Sequence, residues 1–348
     1  MSILVFGPDG GFTYDGRPVD DVYTFLRYNQ VDVVINQIAY STELLDAFLD
    51  AGGSRWRDAG GHIISCLHFD PKAASNFQFF RSLPNKTFRV KFNLIKSALF
   101  YCWYKRRQEA QISRTYNSIY DKSDFFVTLS NKHFDYFKKV THRDSYEKLV
   151  SINNPLTFDE ISQDSILDSK RNTILICSRM DEYQKRILTA LKVWRSLLKH
   201  EISKGWNLQI VGDGPDLDRY KSFVDKHSIA NVEFIGKCNP KQYYERASIF
   251  MMTSIGIEGW GLTLTECLQT GVVPVVMNTC AVYSDIIQNG VNGFLTKQDS
   301  ISDYTKHMLK LMSDPKLLRE MQLNALHSAS RFSTAATMPK WQSLLSKL

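Results

Sequence analysis

Short runs of apolar residues alternate along the chain with longer segments in which apolar positions recur at helical spacing. Runs of four or five consecutive apolar residues are typical of strands buried on both faces of a parallel sheet. In the first half, strands are predicted at residues 3–6, 31–35, 63–67, 125–129 and 148–152, with helices at 19–28, 42–49 and 131–139. In the second half, strands are predicted at residues 173–177, 208–211, 232–235, 249–252 and 272–276, with helical stretches between them and from residue 303 onward. The alternation predicts an α/β protein with a doubly wound parallel sheet.

Residues 157–171 interrupt this alternation, because they are polar and carry no sustained apolar periodicity. Asn153-Asn154-Pro155, just before them, is a stop signal for regular structure. Such a segment is typical of an interdomain connection. The chain of 348 residues is long enough for two domains with separate cores.

The sequence Glu-Gly-Trp-Gly-Leu-Thr-Leu-Thr-Glu at residues 258–266 places two carboxylates around a glycine-rich turn. The turn joins the predicted strand at 249–252 to a helical segment, which is where ligands bind in open α/β sheets. Glycines let backbone amides approach a ligand, and the unpaired N–H groups of the helix favour a phosphate. Leu264 and Leu268 share the helix face expected to pack on the sheet, whereas Thr263 and Glu266 share another. The pattern indicates an anion-binding site for a sugar nucleotide.

A structural interpretation of the same residues stays open, in which Glu266 only complements the helix N-terminus and Glu258 is a solvated loop residue. The two glutamates, the two glycines and the strand-to-helix context together resemble the paired-glutamate motif of retaining glycosyltransferase family 4. Members of that family have two Rossmann-like domains facing a cleft, the GT-B arrangement. The resemblance is strong over residues 173–332 and weaker over residues 31–154.

The resemblance implies a retaining glycosyltransferase that moves a hexosyl-type sugar from a UDP- or GDP-sugar to a saccharide or lipid-linked saccharide acceptor. The implied setting is cell-surface polysaccharide or glycolipid assembly. It also implies an N-terminal acceptor-side domain at 1–155, a C-terminal nucleotide-sugar-binding domain at 156–332, and a terminal helix at 333–348 that returns to the first domain.

The residues of the implied site follow from the same resemblance. The catalytic residues would be Glu258, Arg179, Lys185 and His68. The donor-binding residues would be Gly259, Trp260, Gly261, Leu262, Thr263 and Glu266. Glu258 would hold the transferred sugar, and Glu266 would accept hydrogen bonds from the ribose hydroxyls.

Arg179 and Lys185 follow the predicted strand at 173–177, at the edge of the sheet where ligands bind. Two cations suit a diphosphate, whose negative charge grows as the glycosidic bond breaks. In isolation such residues are more often solvated than functional. The resemblance assigns them to the donor phosphates, but the loop between them is longer than the family's usual one. Arg186 is therefore an alternative to Lys185.

His68 follows the predicted strand at 63–67 and resembles the family's N-domain histidine that faces the donor sugar. The alternative is a structural histidine. Gly212-Asp213-Gly214-Pro215 resembles another family turn and is interpreted mainly as structural support.

The family mechanism implies front-face attack, in which the departing phosphate helps to remove the acceptor proton. No cofactor and no metal ion are expected, since the sequence has no D-x-D placed after a strand and the cations can neutralise the leaving group. A double displacement with Glu258 as nucleophile is the less favoured route.

The opening of the chain departs from the family pattern. Residues 7–18 are interpreted as a loop rich in glycine, proline and aspartate, where the family has a glycine loop and a long helix. The hypothesis is that residues 2–6 correspond to the family's second strand and that the N-terminal domain lacks its first βα unit.

The net charge of +7 is concentrated in residues 71–122, which hold eleven Lys and Arg but only Glu109 and Asp121. Apolar residues recur there near helical spacing, so residues 86–107 are interpreted either as a helix lying on an anionic membrane or as a core-packed helix with a solvated basic face. No nucleic-acid module is recognisable. The six cysteines are scattered singly, and no leader or membrane-spanning run occurs, so we expect a cytoplasmic protein, peripheral on the inner face of the plasma membrane if the helix lies on lipid.

Other function classes remain as alternatives. One is a catalytically weak homologue that still binds a sugar nucleotide or a partner. Another is a phosphorylase of similar architecture. A nicotinamide dehydrogenase ranks lower, because no predicted strand is followed by G-x-G-x-x-G.

Overall fold

The computed structural model describes residues 4–6, 11–72 and 101–348, apart from residue 257. These residues form two compact units. The first holds the described residues up to Ile152 together with Gln342–Leu348, and the second holds Asn153–Trp341. The chain therefore passes from one unit to the other at the Asn-Asn-Pro sequence, close to the boundary predicted at residue 155.

The first unit is built around a parallel sheet. Its strands are β1 (Leu4–Phe6), β2 (Phe12–Tyr14), β3 (Arg17–Val19), β4 (Val33–Asn36), β5 (His62–Leu67), β6 (Phe125–Thr128) and β7 (Leu149–Ser151). Its helices are α1 (Val22–Tyr28), α2 (Glu43–Phe48), α3 (Ser54–Asp58), α4 (Tyr101–Lys122) and α5 (Phe134–Thr141), with a π-helical segment at Leu49–Gly53 and a 3-10 turn at Asn131–His133. Strands β4, β5, β6 and β7 pair in that order and are all parallel. The predicted strands over residues 31–152 are confirmed.

The opening of the chain differs from the prediction. Strand β1 does not join the parallel sheet; it pairs antiparallel with β2, which pairs antiparallel with β3. The turn between β2 and β3 is Asp15-Gly16, and both residues have positive φ angles, of 47° and 72°. Asp-Gly is a strong signal for a two-residue hairpin turn, since such turns need two left-handed residues. The interpretation of residues 7–18 as a loop was therefore wrong for residues 11–18. The hypothesis that residues 2–6 correspond to the family's second strand was also wrong, because residues 4–6 do not belong to the parallel sheet.

Helix α4 packs against the sheet through an apolar face. Tyr116 and Ile119, three residues apart, are buried and lie on that face. The Tyr116 ring stacks on Phe137 of α5 at 5.4 Å, and Phe137 lies 4.7 Å from the ring of Phe126 on β6. The second half of α4 is thus a core helix. Of the predicted membrane segment at 86–107, residues 86–100 lie outside the described residues.

The second unit contains the larger sheet. Its strands are β8 (Thr173–Cys177), β9 (Asn207–Val211), β10 (Val232–Gly236), β11 (Ile249–Met252), β12 (Val273–Met277) and β13 (Phe294–Thr296). Its helices are α6 (Glu182–Lys185), α7 (Ile187–Leu197), α8 (Leu217–Lys226), α9 (Lys241–Arg246), α10 (Leu262–Gln269), α11 (Tyr283–Ile286), α12 (Ile301–Ser313) and α13 (Pro315–Ser328), with 3-10 turns at Asp164–Ser169, Glu201–Ser203 and Ala329–Phe332. A last helix, α14 (Thr334–Leu345), follows.

The strand order of this sheet is β10-β9-β8-β11-β12-β13, and every pair is parallel. The five predicted strands are confirmed, whereas β13 was missed because it contains only two apolar residues, between Gly293 and Thr296. The order corresponds to the doubly wound arrangement 3-2-1-4-5-6, whose direction of winding reverses between its first and fourth strands. Here that point lies between β8 and β11.

The core of the second unit forms on the faces of this sheet. Trp194 and Leu191 of α7 are fully buried against apolar residues of β8 and β9, including Ile174 and Ile210. Tyr304 of α12 is also fully buried, and its hydroxyl lies between the Met252 amide and the Val275 carbonyl. The Tyr304 hydroxyl therefore links the last residue of β11 to the middle of β12.

Candidate functional site

The predicted site residues of the second unit follow the two strands at the point where the winding reverses. Strand β8 pairs directly with β11, with Ile174 opposite Ile249. Arg179 follows β8, and the glycine loop follows β11. Because the carboxyl ends of parallel strands meet at one edge of a sheet, the fold brings these loops together at the edge where doubly wound sheets bind ligands.

The glycine loop ends in a left-handed residue. Gly261 has a φ of 99° and stands directly before the first residue of α10. A side chain there would be strained by the backbone and would lie 3.2 Å from Leu264. Leu264 and Leu268 are fully buried, as their spacing predicted. The Leu264 amide donates to the Gly261 carbonyl at 2.9 Å. The amides that precede it at the start of α10 are the ones that lack an acceptor within a helix, and such amides favour an anion.

Lys185 and Glu258 form an ion pair between the Nζ and Oε1 atoms. Their side chains are only 19% and 15% exposed. Residues 73 positions apart in the sequence are thus brought together at the carboxyl edge of the sheet. The pair places one positive and one negative group beside the glycine loop.

Helix α6, which carries Lys185, is tied to the end of β11. The Ile255 amide donates to the Gln184 carbonyl at 2.9 Å. The Thr253 hydroxyl lies 3.1 Å from the Lys185 carbonyl and 3.0 Å from the Arg186 carbonyl. Neither Gln184 nor Thr253 belonged to the predicted site, since polar residues beside a strand end carry no spacing signal. They hold the lysine against the loop of Glu258.

Arg186 has a separate role in the fold. Its backbone is left-handed, with a φ of 54°, so its side chain leaves in a different direction from that of Lys185. The side chain is buried, and its guanidinium is paired with Asp299 and lies 3.5 Å from the Met277 sulfur. Arg186 therefore connects α6 to the loop after β13, while Lys185 is the neighbour that contacts Glu258.

Arg179 is exposed at the same edge. Its guanidinium donates to Gln184 at 2.7 Å and lies 3.1 Å from Asp181. An exposed guanidinium held by one amide and one carboxylate can exchange these partners for a phosphate at small cost. Arg179 contacts α6 through its hydrogen bond to Gln184, and Lys185 is itself the last residue of that helix.

The turn Gly212-Asp213-Gly214-Pro215 packs on the segment that carries Arg179. The Met180 amide donates to the Asp213 carbonyl at 2.9 Å. A Cβ atom on Gly214 would lie 2.6 Å from the Met180 carbonyl oxygen, and one on Gly212 would overlap the Ser178 carbonyl. The turn is structural support for the loop after β8, as its sequence indicated.

Glu266 lies on α10 and is buried. Burial raises the pKa of its carboxyl, and the nearby Tyr244 and Thr157 hydroxyls oppose that rise. Tyr244 is fully buried and stacks on Phe250 of β11 at 5.8 Å. Thr263, on the predicted ligand face, is half-buried. Tyr244 was not predicted from the sequence, where it is one aromatic residue among several in a helical stretch.

Trp260 is buried, with its ring 5.5 Å from that of Phe332 in an edge-on contact. Among the described residues its indole N–H has no acceptor. Gly259 beside it is buried and Leu262 is exposed. Tyr283 of α11 is a further residue that sequence reasoning missed: it is fully buried, and burial, with Cys280 and the Glu258 carboxylate nearby, raises its pKa.

In the first unit, His68 lies just beyond β5 and contacts the Gln37 side chain through Nε2. Burial lowers the pKa of the imidazole, so the neutral form is favoured. Next to it, Phe69 is 44% exposed and Tyr40 is 54% exposed, and their rings meet edge-on at 5.3 Å. The carboxyl edge of this sheet thus presents a neutral histidine and two exposed aromatic rings.

Comparisons with known proteins agree with this fold. Residues 157–327 match the family model described as glycosyl transferases group 1. An uncharacterized glycosyltransferase of Haemophilus influenzae is 28% identical over 199 residues, covering 57% of this chain and 55% of the relative. Poly(glycerol-phosphate) alpha-glucosyltransferase of Bacillus subtilis is 25% identical over 248 residues, covering 70% of this chain and 35% of the relative.

The crystal structure of HepE from Anabaena, in complex with UDP and glucose, superimposes with a TM-score of 0.63 at 17% identity, covering 94% of this chain and 81% of that one. The fold is that of the GT-B glycosyltransferases, which have two Rossmann-like domains. The second unit contains the segment that matches the group 1 family. The chain spans about half of the Haemophilus relative and about a third of the Bacillus one.

Among the described residues, no helix combines the length and the apolar character that crossing a membrane requires.

Proposed function

We propose that this protein is a retaining glycosyltransferase that moves a sugar from a nucleotide-diphosphate sugar to a saccharide or lipid-linked saccharide acceptor. The observation that carries the proposal is the Lys185–Glu258 ion pair beside the glycine loop, at the point where the winding of the larger sheet reverses. The group 1 family match supports sugar transfer. The UDP in the similar Anabaena structure supports a uridine nucleotide.

The donor diphosphate is assigned to Lys185, Arg179 and the first-turn amides of α10. As the bond between the anomeric carbon and the phosphate oxygen breaks, its electron pair passes to that oxygen. Cations and amide dipoles that are already in place stabilise the growing charge without reorganisation, which is the largest catalytic effect available to such a site. The proposal uses no metal ion and no cofactor.

The acceptor hydroxyl forms the new bond on the face that the phosphate leaves, so configuration is retained. Its proton passes to the departing phosphate oxygen, which balances the step without a protein base. Glu258 is assigned to the hydroxyls of the transferred sugar, since its carboxylate is free to accept hydrogen bonds once Lys185 turns to the diphosphate. Glu266 is assigned to the ribose hydroxyls.

Saccharide contacts in the first unit are assigned to His68, Tyr40 and Phe69. The flat faces of exposed aromatic rings suit the apolar faces of pyranose rings, and a neutral imidazole can exchange hydrogen bonds with hydroxyls. The acceptor class, a cell-surface polymer or a glycolipid, agrees with the Bacillus relative, whose name describes glucosyl transfer to poly(glycerol phosphate).

The test is calorimetric titration of UDP and of GDP into the wild-type protein and into Lys185→Ala and Glu266→Ala variants. We expect one nucleotide to bind, with affinity lowered about tenfold or more in each variant, because each removes a charged hydrogen-bonding partner. Arg195→Gln, which removes an exposed positive charge from α7, serves as the control. If the folded wild-type protein binds neither nucleotide, the donor site is wrong.

Measuring turnover of the sugar donor distinguishes an enzyme from a protein that only binds the nucleotide. An enzyme releases nucleotide from its sugar donor faster when an acceptor is present, whereas a catalytically weak homologue binds the nucleotide without transfer. Inorganic phosphate in place of the acceptor tests for a phosphorylase.

A membrane surface is a further part of the proposal. Trp103, Lys105, Arg106 and Arg107 at the start of α4 are all exposed, and the Arg107 guanidinium lies 5.4 Å from the centre of the Trp103 ring. Basic residues flanking an exposed tryptophan suit an anionic bilayer interface. We place the protein on the cytoplasmic face of the plasma membrane.

We expect the protein to co-sediment with vesicles containing anionic lipid and not with neutral vesicles. A Trp103→Ala, Lys105→Gln, Arg106→Gln variant should lose about tenfold or more in vesicle affinity, since each basic residue contributes about 1 kcal/mol near an anionic surface. Lys199→Gln with Lys204→Gln, two exposed lysines of the second unit, provides the control for charge alone. Equal binding by both variants would remove the membrane surface from the proposal.

A further inference from the structure

A polar cavity lies at the edge of the larger sheet opposite the glycine loop. Its volume is about 350 Å³, and it lies where β8 and β9 begin and α9 ends. Its lining includes Arg171, Asn172, Asn207, Gln242, Tyr243 and Arg246. Sites for small molecules generally start at about 300 Å³, so the cavity is large enough for one.

Two arginines stand side by side in this lining. The Arg171 amide donates to the Arg246 carbonyl at 2.8 Å, so the two residues are neighbours across the backbone. Arg171 and Arg246 are both exposed. In the described part of the chain neither guanidinium forms an ion pair, although ten other Lys and Arg side chains do. Both arginines line the same cavity, so an anion bound there can pair with two positive charges that no carboxylate of the described residues pairs with.

The rest of the lining supplies neutral hydrogen-bonding groups. Asn172, Gln242 and the Tyr243 hydroxyl can each donate to an oxygen, and the lining contains no Asp or Glu. Gly205, also in the lining, has a left-handed φ of 85° and leaves open space where a side chain would stand. Arginine forks and amides together match the planar and tetrahedral oxygen arrangements of phosphate groups.

We propose that this cavity binds a small phosphate-bearing anion. The site is separate from the donor site, because Thr173 and Asn207 are the first residues of strands whose other ends carry the donor loops. Five residues of strand, at about 3.3 Å each, set the two edges roughly 16 Å apart. The proposal does not depend on the assignment of glycosyl transfer.

The test is calorimetric titration of inorganic phosphate at constant low ionic strength, where charge interactions are least screened. The wild-type protein and the Lys185→Met variant should both show saturable binding. An Arg171→Gln, Arg246→Gln variant should bind about tenfold or more weakly, while Arg195→Gln should match the wild type. Asn172→Asp, which places a negative charge at the cavity through an exposed residue, should also weaken binding.

Three results would overturn the proposal. One is an absence of saturable phosphate binding by the folded wild-type protein. Another is unchanged binding by the double arginine variant. The third is loss of all binding in Lys185→Met, which would place the phosphate at the donor site alone. Thermal unfolding of each variant shows that it is folded, and the backbone hydrogen bond between residues 171 and 246 does not depend on either side chain.

Discussion

Replacing Lys185 with methionine is expected to lower the rate of sugar transfer at saturating donor by about 10² to 10³, the typical effect of removing one group that stabilises transition-state charge. It should also destabilise the fold. Its partner Glu258 has a side chain only 15% exposed, and removing the lysine leaves that carboxylate poorly solvated and without its counter-charge. A single variant therefore mixes a catalytic effect with a structural one.

The double variant Lys185→Met, Glu258→Gln separates the two effects. With both charges gone, the unfolding midpoint should return close to that of the wild type, because a neutral pair needs no counter-charge. Transfer should stay at the level of the single variant or below it, because neither the cation for the diphosphate nor the carboxylate for the sugar is present. Unfolding midpoints and transfer rates of the wild type, both single variants and the double variant make up the measurement.

Lys204→Met is the matched control. Lys204 pairs with Glu201 at the surface, where the two side chains are 77% and 86% exposed, so its loss should change neither stability nor rate appreciably. A double variant that recovers both stability and transfer would show that the Lys185–Glu258 pair is only structural. The assignment of the diphosphate would then have to move to other groups.

The sequence predicted the second unit well for a physical reason. Strands buried on both faces of a parallel sheet are largely apolar, so β8, β11 and β12 stand out from their surroundings. Strands β9 and β10 are less buried, but short apolar runs mark them as well. The helical spacing of Leu264 and Leu268 predicted the buried face of α10. Strand β13 was missed because its two apolar residues, Phe294 and Leu295, make too short a run to distinguish it from a loop.

The hairpin at the opening of the chain was not predicted. Residues 7–18 were interpreted through their glycine and proline content alone, although Phe12-Thr13-Tyr14 followed by Asp15-Gly16 is a hairpin pattern. Apolar runs also do not determine which strands pair with each other in space. A strand of three residues can pair in either direction, and β1 pairs with the hairpin and not with the parallel sheet.

The site illustrates a different limit. Lys185 and Arg186 are adjacent and carry the same charge, so spacing does not distinguish them. The left-handed backbone at Arg186 does, since it turns one side chain toward Asp299 and leaves the other beside Glu258. Likewise Tyr244 and Tyr283 approach Glu266 and Glu258 only through tertiary packing, from helices that follow other strands.

Gly212→Ala is expected to be the most destabilising small substitution in the second unit, at about 3 kcal/mol or more in the free energy of unfolding. Gly212 has a φ of 133°, where a residue with a side chain is strained. The added Cβ atom would also overlap the carbonyl oxygen of Ser178. That oxygen belongs to the backbone and cannot rotate away, so the loop after β8 has to move.

Gly205→Ala measures how much of this loss in the free energy of unfolding comes from backbone strain alone. Gly205 also has a left-handed φ, of 85°, but an added Cβ atom would meet nothing within 4 Å. Its replacement should therefore cost only the strain of one unfavourable backbone conformation, about 1 to 2 kcal/mol. Chemical denaturation of the two variants, followed by tryptophan fluorescence, gives the difference that belongs to steric overlap. Equal costs would mean that the turn at residues 212–215 adjusts without moving Ser178.

The same displacement should reach the donor site. Ser178 directly precedes Arg179, and Met180 is hydrogen bonded to the turn through the Asp213 carbonyl at 2.9 Å. A shift of this segment moves the exposed guanidinium away from the diphosphate position, and small misplacements of positioning groups can be costly to catalysis. Nucleotide affinity and transfer rate should therefore fall in Gly212→Ala under conditions where the variant is still folded. In Gly205→Ala both should match the wild type, because Gly205 lies at the opposite edge of the sheet, before β9.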